Sequence, residues 1–116
     1  MINSILSDLN GSSADIEASA VLSTDGLMMD SLLPAGMDED RVGAMSAAML
    51  SLGDRTSVEL ERGKLEQVLI KGDKGFILMT YAGTDAVVTV LTKPEARLGL
   101  IFLDVKRAAD GIAKIL

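Results

Sequence analysis

The sequence has no cysteine and no histidine. The first absence excludes disulfides, thiolate zinc sites and a cysteine nucleophile. The second removes the commonest metal ligand and the side chain best suited to proton transfer near neutral pH. Catalysis would have to rest on Asp, Glu, Lys, Ser, Thr or the single tyrosine, Tyr81, arranged as a constellation. Aromatic residues are scarce as well: Phe76, Tyr81 and Phe102 leave little to line a ligand cavity. A basic excess is also missing. With 11 Lys and Arg against 17 Asp and Glu, the net charge of −6 argues against phosphate backbones or anionic membranes as partners. No stretch reaches the roughly 18 to 20 apolar residues of a membrane span. The start, MINSILSDLNGSS, has neither a basic n-region nor a continuous apolar h-region. A cytoplasmic protein without membrane insertion is expected, which makes the glycosylation-like Asn10-Gly11-Ser12 a chance match.

What is present reads as one domain of 116 residues, with no repeat, linker or low-complexity segment. Ile2, Ile5, Leu6 and Leu9 form the stripe of a short amphipathic helix, ended by NGSS. Ile16 to Leu22 and Leu27 to Leu32 flank Thr24-Asp25-Gly26, a hairpin signal because glycine accepts the positive φ of a tight turn. Asp38, Glu39 and Asp40 occupy the first turn of a long helix, complementing its dipole, and Gly63 is its expected C-cap. Leu65 to Lys71, Gly75 to Tyr81 and Ala86 to Leu91 follow as an antiparallel meander. VVTVL and FILM are almost continuously apolar, as central strands buried on both faces are. Leu65 to Lys71, with Glu66, Gln67 and Lys71, has the mixed pattern of an edge strand. In the last segment Thr92 is expected to cap and Pro94 to sit in the first turn of a helix carrying Leu98, Ile101, Phe102, Val105, Ala109, Ile112 and Leu116 on one face. The order α-β-β-α-β-β-β-α, with a sheet apolar on both sides, predicts a three-layer α/β/α sandwich.

The central helix is unusual. Residues 42–53 carry no charge, and five of those twelve are Gly or Ala. Angular placement puts Val42, Met45, Met49, Leu52, Thr56 and Leu60 on the face expected to seat on the sheet. The remaining rows, Gly43, Ala47, Leu50, Asp54 and Ala44, Ala48, Ser51, Arg55, would then face water without the usual Lys and Glu. Small residues in rows let another backbone come close, either the chain's own, with the helix buried inside it, or a partner's; the two other helices are needed on the sheet's opposite face, which favours a partner helix and a homodimer through Ala44, Ala47, Ala48, Ser51 and Arg55.

The segments ASAVLSTDGL, DEDRVGAMSAAMLSLGDRTSVELERGKLEQVLIKG and ARLGLIFLDVKRAADGIAKIL, taken in order, resemble the Roadblock/dynein light chain family, in particular its bacterial and archaeal members associated with small Ras-like GTPases. The resemblance implies a five-stranded antiparallel sheet, a homodimer that pairs the long helices and joins the sheets through the third strands, at Glu66, Val68 and Ile70, and regulation of a GTPase without a nucleotide site of its own. A symmetric platform of Arg41, Gly43, Ala47, Leu50, Ser51 and Asp54 is the expected GTPase-binding surface. A scaffold with no effect on nucleotide turnover, and a profilin-like small-molecule sensor, are the alternatives.

Motifs for direct chemistry are missing. RGKL at residues 62–65 lacks the upstream glycine and the hydroxyl of a phosphate-binding loop, and GDKG reads as a hairpin. Asp38, Glu39 and Asp40 point in different directions on a helix, so no metal site is expected from them. Arg41 and Arg55 suit salt bridges at an interface rim as well as an arginine finger. No cofactor is expected, and neither is enzymatic activity.

Overall fold

The computed structural model describes residues 1–116. Its elements are α1 (Ile2–Ser12), β1 (Ile16–Ser23), β2 (Met28–Leu32), α2 (Glu39–Glu59), β3 (Gln67–Gly72), β4 (Gly75–Ala82), β5 (Ala86–Thr92) and α3 (Leu98–Ile115). The strands form one sheet in the order β2-β1-β5-β4-β3, antiparallel at every pairing. The local signals explain most of this. Gly26 takes φ 93° in the β1–β2 turn, and the Ser23 amide donates to the Leu27 carbonyl to close it. β5, the VVTVL strand, lies at the centre with every residue but Leu91 buried, and β2 and β3 are the edges.

Helices cover both faces. α1 and α3 lie side by side on one, where Leu6, Leu9, Val21, Leu78, Val88, Val90, Ile101, Val105 and Ile112 belong to a cluster of fourteen buried residues. α2 lies alone on the other, where its Leu50 meets Met79 and Val87 of the sheet in a cluster of three. The predicted three-layer α/β/α sandwich is the observed architecture.

Two helix ends differ from expectation. Asp38, expected in the first turn with Glu39 and Asp40, instead caps α2, its Oδ1 accepting from the amides of Asp40 (2.9 Å) and Arg41 (3.4 Å). At the other end the chain reverses at Glu61, φ 60°, two residues before the expected Gly63. The Arg62 amide then donates to the Ser57 carbonyl (2.7 Å), and the Ser57 hydroxyl donates to the Gly63 carbonyl (2.7 Å), which ties the loop down. Thr92 does not cap α3. It ends β5, where its hydroxyl accepts from the Phe76 amide and donates to the Lys93 carbonyl. Pro94 and Glu95 form a turn closed by the Ala96 amide on the Lys93 carbonyl, and α3 begins only at Leu98.

Candidate functional site

The largest correction concerns which side of α2 meets the sheet. Gly43, Ser46 and Leu50 are its buried residues, and Gly53 is half-buried. A Cβ on Gly43 would stand 2.5 Å from the carbonyl oxygen of Gly26, so only glycine lets α2 rest on the β1–β2 turn. One turn on, the Ser46 and Thr89 hydroxyls are 3.2 Å apart in the interior, each satisfying the other. Leu50 packs with Met79 and Val87, and Gly53 lies over the side chains of Leu65 and Val68. Gly43 and Leu50 therefore cannot belong to a partner-facing platform, because their own sheet covers them. The small residues serve the inner face, where the strands supply the bulk.

The large residues expected on the sheet point the other way. Met45 (59% exposed), Leu52 (58%) and Leu60 (66%) stand in solvent, and Thr56, also exposed, turns its hydroxyl back to the Leu52 carbonyl. Val42 and Met49 are half-buried along one flank. Arg41, Met45, Ala48, Leu52, Arg55 and Glu59 thus share the outward face at alternating steps of four and three, the spacing of a coiled-coil seam. Its centre is apolar and its ends are charged. Arg55 reaches Glu59 at 3.5 Å with both side chains largely exposed, a pair of little energetic weight.

The other sequence-predicted residues fall around this seam. Ala44 and Ser51 are exposed beside it, and Ala47 is half-buried with its Cβ 3.0 Å from where a Cβ on Gly26 would stand. Asp54 is exposed on the side toward Tyr81. Burial pushes the Tyr81 phenol above its ordinary 10.0, and the Asp54 carboxylate adds to the shift by disfavouring a second negative charge. Val68 and Ile70 of β3 are half-buried under the edge of α2, while Glu66, just before the strand, is exposed. β3 has no neighbour on its outer side. Reading the sequence by helical angle alone missed Met45 and Leu52 as surface residues, although the spacing 45–48–52 was there to be read as a seam.

This surface has exposed apolar side chains at its centre, charged residues at its ends and an unpaired strand edge beside it. Comparisons with known proteins agree on the fold. The chain is 42% identical over 112 residues to Uncharacterized protein MJ0310 of Methanocaldococcus jannaschii, covering 97% of this chain and 96% of that protein. Its fold matches MglB of Myxococcus xanthus with a TM-score of 0.91 at 20% identity, over 98% of this chain and 93% of that one. It matches a Roadblock/LC7 domain from Streptomyces avermitilis with a TM-score of 0.89 at 20% identity, over 96% and 93% of the two chains. A family model for the Roadblock/LC7 domain matches residues 2–92, from α1 through the end of the sheet, and the chain belongs to that family.

Proposed function

We propose that the protein is a noncatalytic homodimer that binds a small Ras-like GTPase and biases its nucleotide cycle. The observation that carries this reading is the outward seam of α2, Met45, Ala48 and Leu52, apolar at its centre and unpaired within the chain. Two copies of the seam packed together remove this apolar surface from water, and Ala48 lets the helix axes come close. The open edge of β3 continues the same interface, joining the two sheets. The dimer then presents its GTPase-facing platform beside the paired helices, from Arg41, Ala47, Ser51 and Asp54. Resemblance to the GTPase-associated branch of the family supplies the partner class. One GTPase per dimer is expected, because a first partner on a two-fold platform overlaps the second copy of the site. The GTP state should be preferred, since it orders the switch loops that a rigid platform can recognise.

A pull-down with the purified protein in GDP and in a nonhydrolysable GTP analogue, read by mass spectrometry, tests this reading. A small GTPase enriched in the analogue supports it; no GTPase in either arm sinks it. Arg41→Ala and Arg55→Ala should lower stimulated hydrolysis only as far as they lower binding. A loss of about 10³-fold in turnover with binding intact identifies an arginine finger instead and overturns the noncatalytic mechanism.

A further inference from the structure

The two edges of the sheet are finished differently. Beside β3 the Tyr81 amide donates to the carbonyl of Glu66, which fixes the alternation: Val68 and Ile70 turn their backbone groups toward β4, and Gln67, Leu69 and Lys71 turn theirs outward. No register shift interrupts this strand. On the far edge the Ser23 amide donates to the Leu27 carbonyl and the Thr24 amide to the Asp85 carbonyl, so Ser19, Val21 and Ser23 of β1 face β2 while Ala20 and Leu22 face β5. Ser31, opposite Ala20, and Met28, opposite Leu22, therefore point their amides away from the sheet. Between them the register shifts and Met29 has no partner, a bulge that bends the strand. The Ser31 amide is already engaged, because the Asp30 Oδ1 accepts from it at 2.8 Å. The Ser31 hydroxyl donates to the Glu39 Oε1 at 2.7 Å, which brings a second carboxylate to the same point. Neither carboxylate has a cationic partner.

We infer that Asp30 closes the β2 edge to strand addition, leaving β3 as the one edge through which the sheet can be extended. A strand arriving at β2 needs the Ser31 amide for its ladder, and the Asp30 carboxylate holds that amide. It also meets two unpaired negative charges at Ser31, and the bulge at Met29 takes the next outward amide, that of Met28, out of step with it. The consequence concerns assembly. A sheet open at both edges can pair head to tail, β3 of one copy on β2 of the next, and a heterologous contact of that kind repeats without end. With β2 closed, only β3 against β3 remains, a contact that is its own partner and stops at two copies. The closure is a property of the single chain and holds whether or not the proposed dimer forms.

Amide hydrogen exchange of the wild-type chain is the first test and needs no variant. The protection factor of the Ser31 amide should exceed that of the outward Met28 amide by about tenfold or more; equal protection overturns the capture by Asp30. Two substitutions then separate the causes. Asp30→Val removes both the acceptor and the charge, whereas Asp30→Asn keeps an acceptor oxygen without the charge. Sedimentation velocity up to about 1 mM should show Asp30→Val forming species larger than the wild type and growing with concentration, while Asp30→Asn sediments as the wild type does. In those larger species the Met28 and Ser31 amides should gain protection by about tenfold or more, as new ladder bonds require and as aggregation of unfolded chains does not. Asp30→Val that matches the wild type at every concentration, or larger species whose Met28 and Ser31 amides still exchange freely, overturns the closure. So does a wild-type chain that itself grows beyond two copies with those amides protected. Growth by Asp30→Asn to the same extent overturns capture of the amide as the cause. A wild type that stays monomeric sinks the dimer alone, since the two substitutions are still read against it.

Discussion

The two faces of the sheet are finished to different degrees. On one, two helices and fourteen buried residues make a core in which Leu6, Ile101, Val105 and Ile112 are almost or wholly inaccessible. On the other, a single helix of 21 residues contributes Leu50 to a buried cluster of three. That helix keeps its larger apolar side chains outside. The first face carries most of the buried core; the second leaves Met45, Leu52 and Leu60 in solvent. In the dimer proposed above, the difference is between a surface built for stability and one built for assembly, carried by opposite sides of the same five strands.

The most severe way to test this division is to open the thick face. Ile112→Ala removes three carbons from a fully buried site and should destabilise the chain by about 2–5 kcal/mol in urea titration. The thin face should respond in assembly rather than in folding. Leu52→Glu, and equally Ala48→Glu, should weaken the dimer by about 100-fold in sedimentation equilibrium, because a buried unpaired charge costs several kcal/mol, while the circular dichroism of the monomer stays unchanged. If either substitution unfolds the protein instead, the outer seam is part of the core and the comparison fails. Gly43→Ala acts on the inner side of the same helix. Its new methyl meets the Gly26 backbone, so α2 must lift, and the cost should be about 1–3 kcal/mol in thermal unfolding.

The smallest effect is electrostatic. The Tyr81 phenol holds its proton more tightly in the folded chain than in the unfolded one, since its pKa is raised from 10.0. This contribution is fully present below the unfolded pKa and is lost as pH rises from there through the folded value, so stability should fall in strongly alkaline solution. Asp54→Asn removes the second cause of the shift, and an absorbance titration of the phenolate should show the Tyr81 transition moving down toward its ordinary range. An unmoved transition assigns the whole shift to burial.

Much of the fold was legible in the sequence because the turns announce it. Thr24-Asp25-Gly26, GDKG and AGTD mark three hairpins, and the apolar runs between them distinguish the central β5 from the edge strand β3. The orientation of α2 was not legible by the angular count. A helix with apolar residues on every side has no periodic signal for its inner face, and the rule that bulk goes inward fails where the strands bring the bulk. Here Met79, Val87 and Leu22 rise to meet the helix, and Gly43, Ser46 and Gly53 make room. The close approach of Gly26 to Gly43 is a contact between residues seventeen positions apart, invisible to any local window. The reversal at Glu61, just after α2 ends, escaped for a related reason: a hydrogen bond from Ser57 to the Gly63 carbonyl ties the loop back, while Gly63 takes a positive φ of its own (83°) two residues later.

One consequence of the way α2 is seated concerns how it yields under load. Its first half is pinned, at Gly43 by backbone against backbone and at Ser46 by a buried hydroxyl pair, neither of which can slide without breaking. Beyond Leu50, which packs on Met79 and Val87, it rests at Gly53 on the ends of the Leu65 and Val68 side chains, which turn about their own bonds. A rod clamped at one end and cushioned at the other behaves as a lever. If a partner docks on the seam, the Thr56–Glu59 end should shift more than the Asp38–Ala47 end, since the latter holds the backbone and hydroxyl contacts with the sheet. Amide chemical shifts recorded with and without a bound partner would register that asymmetry, large beyond Asp54 and small before Ala47.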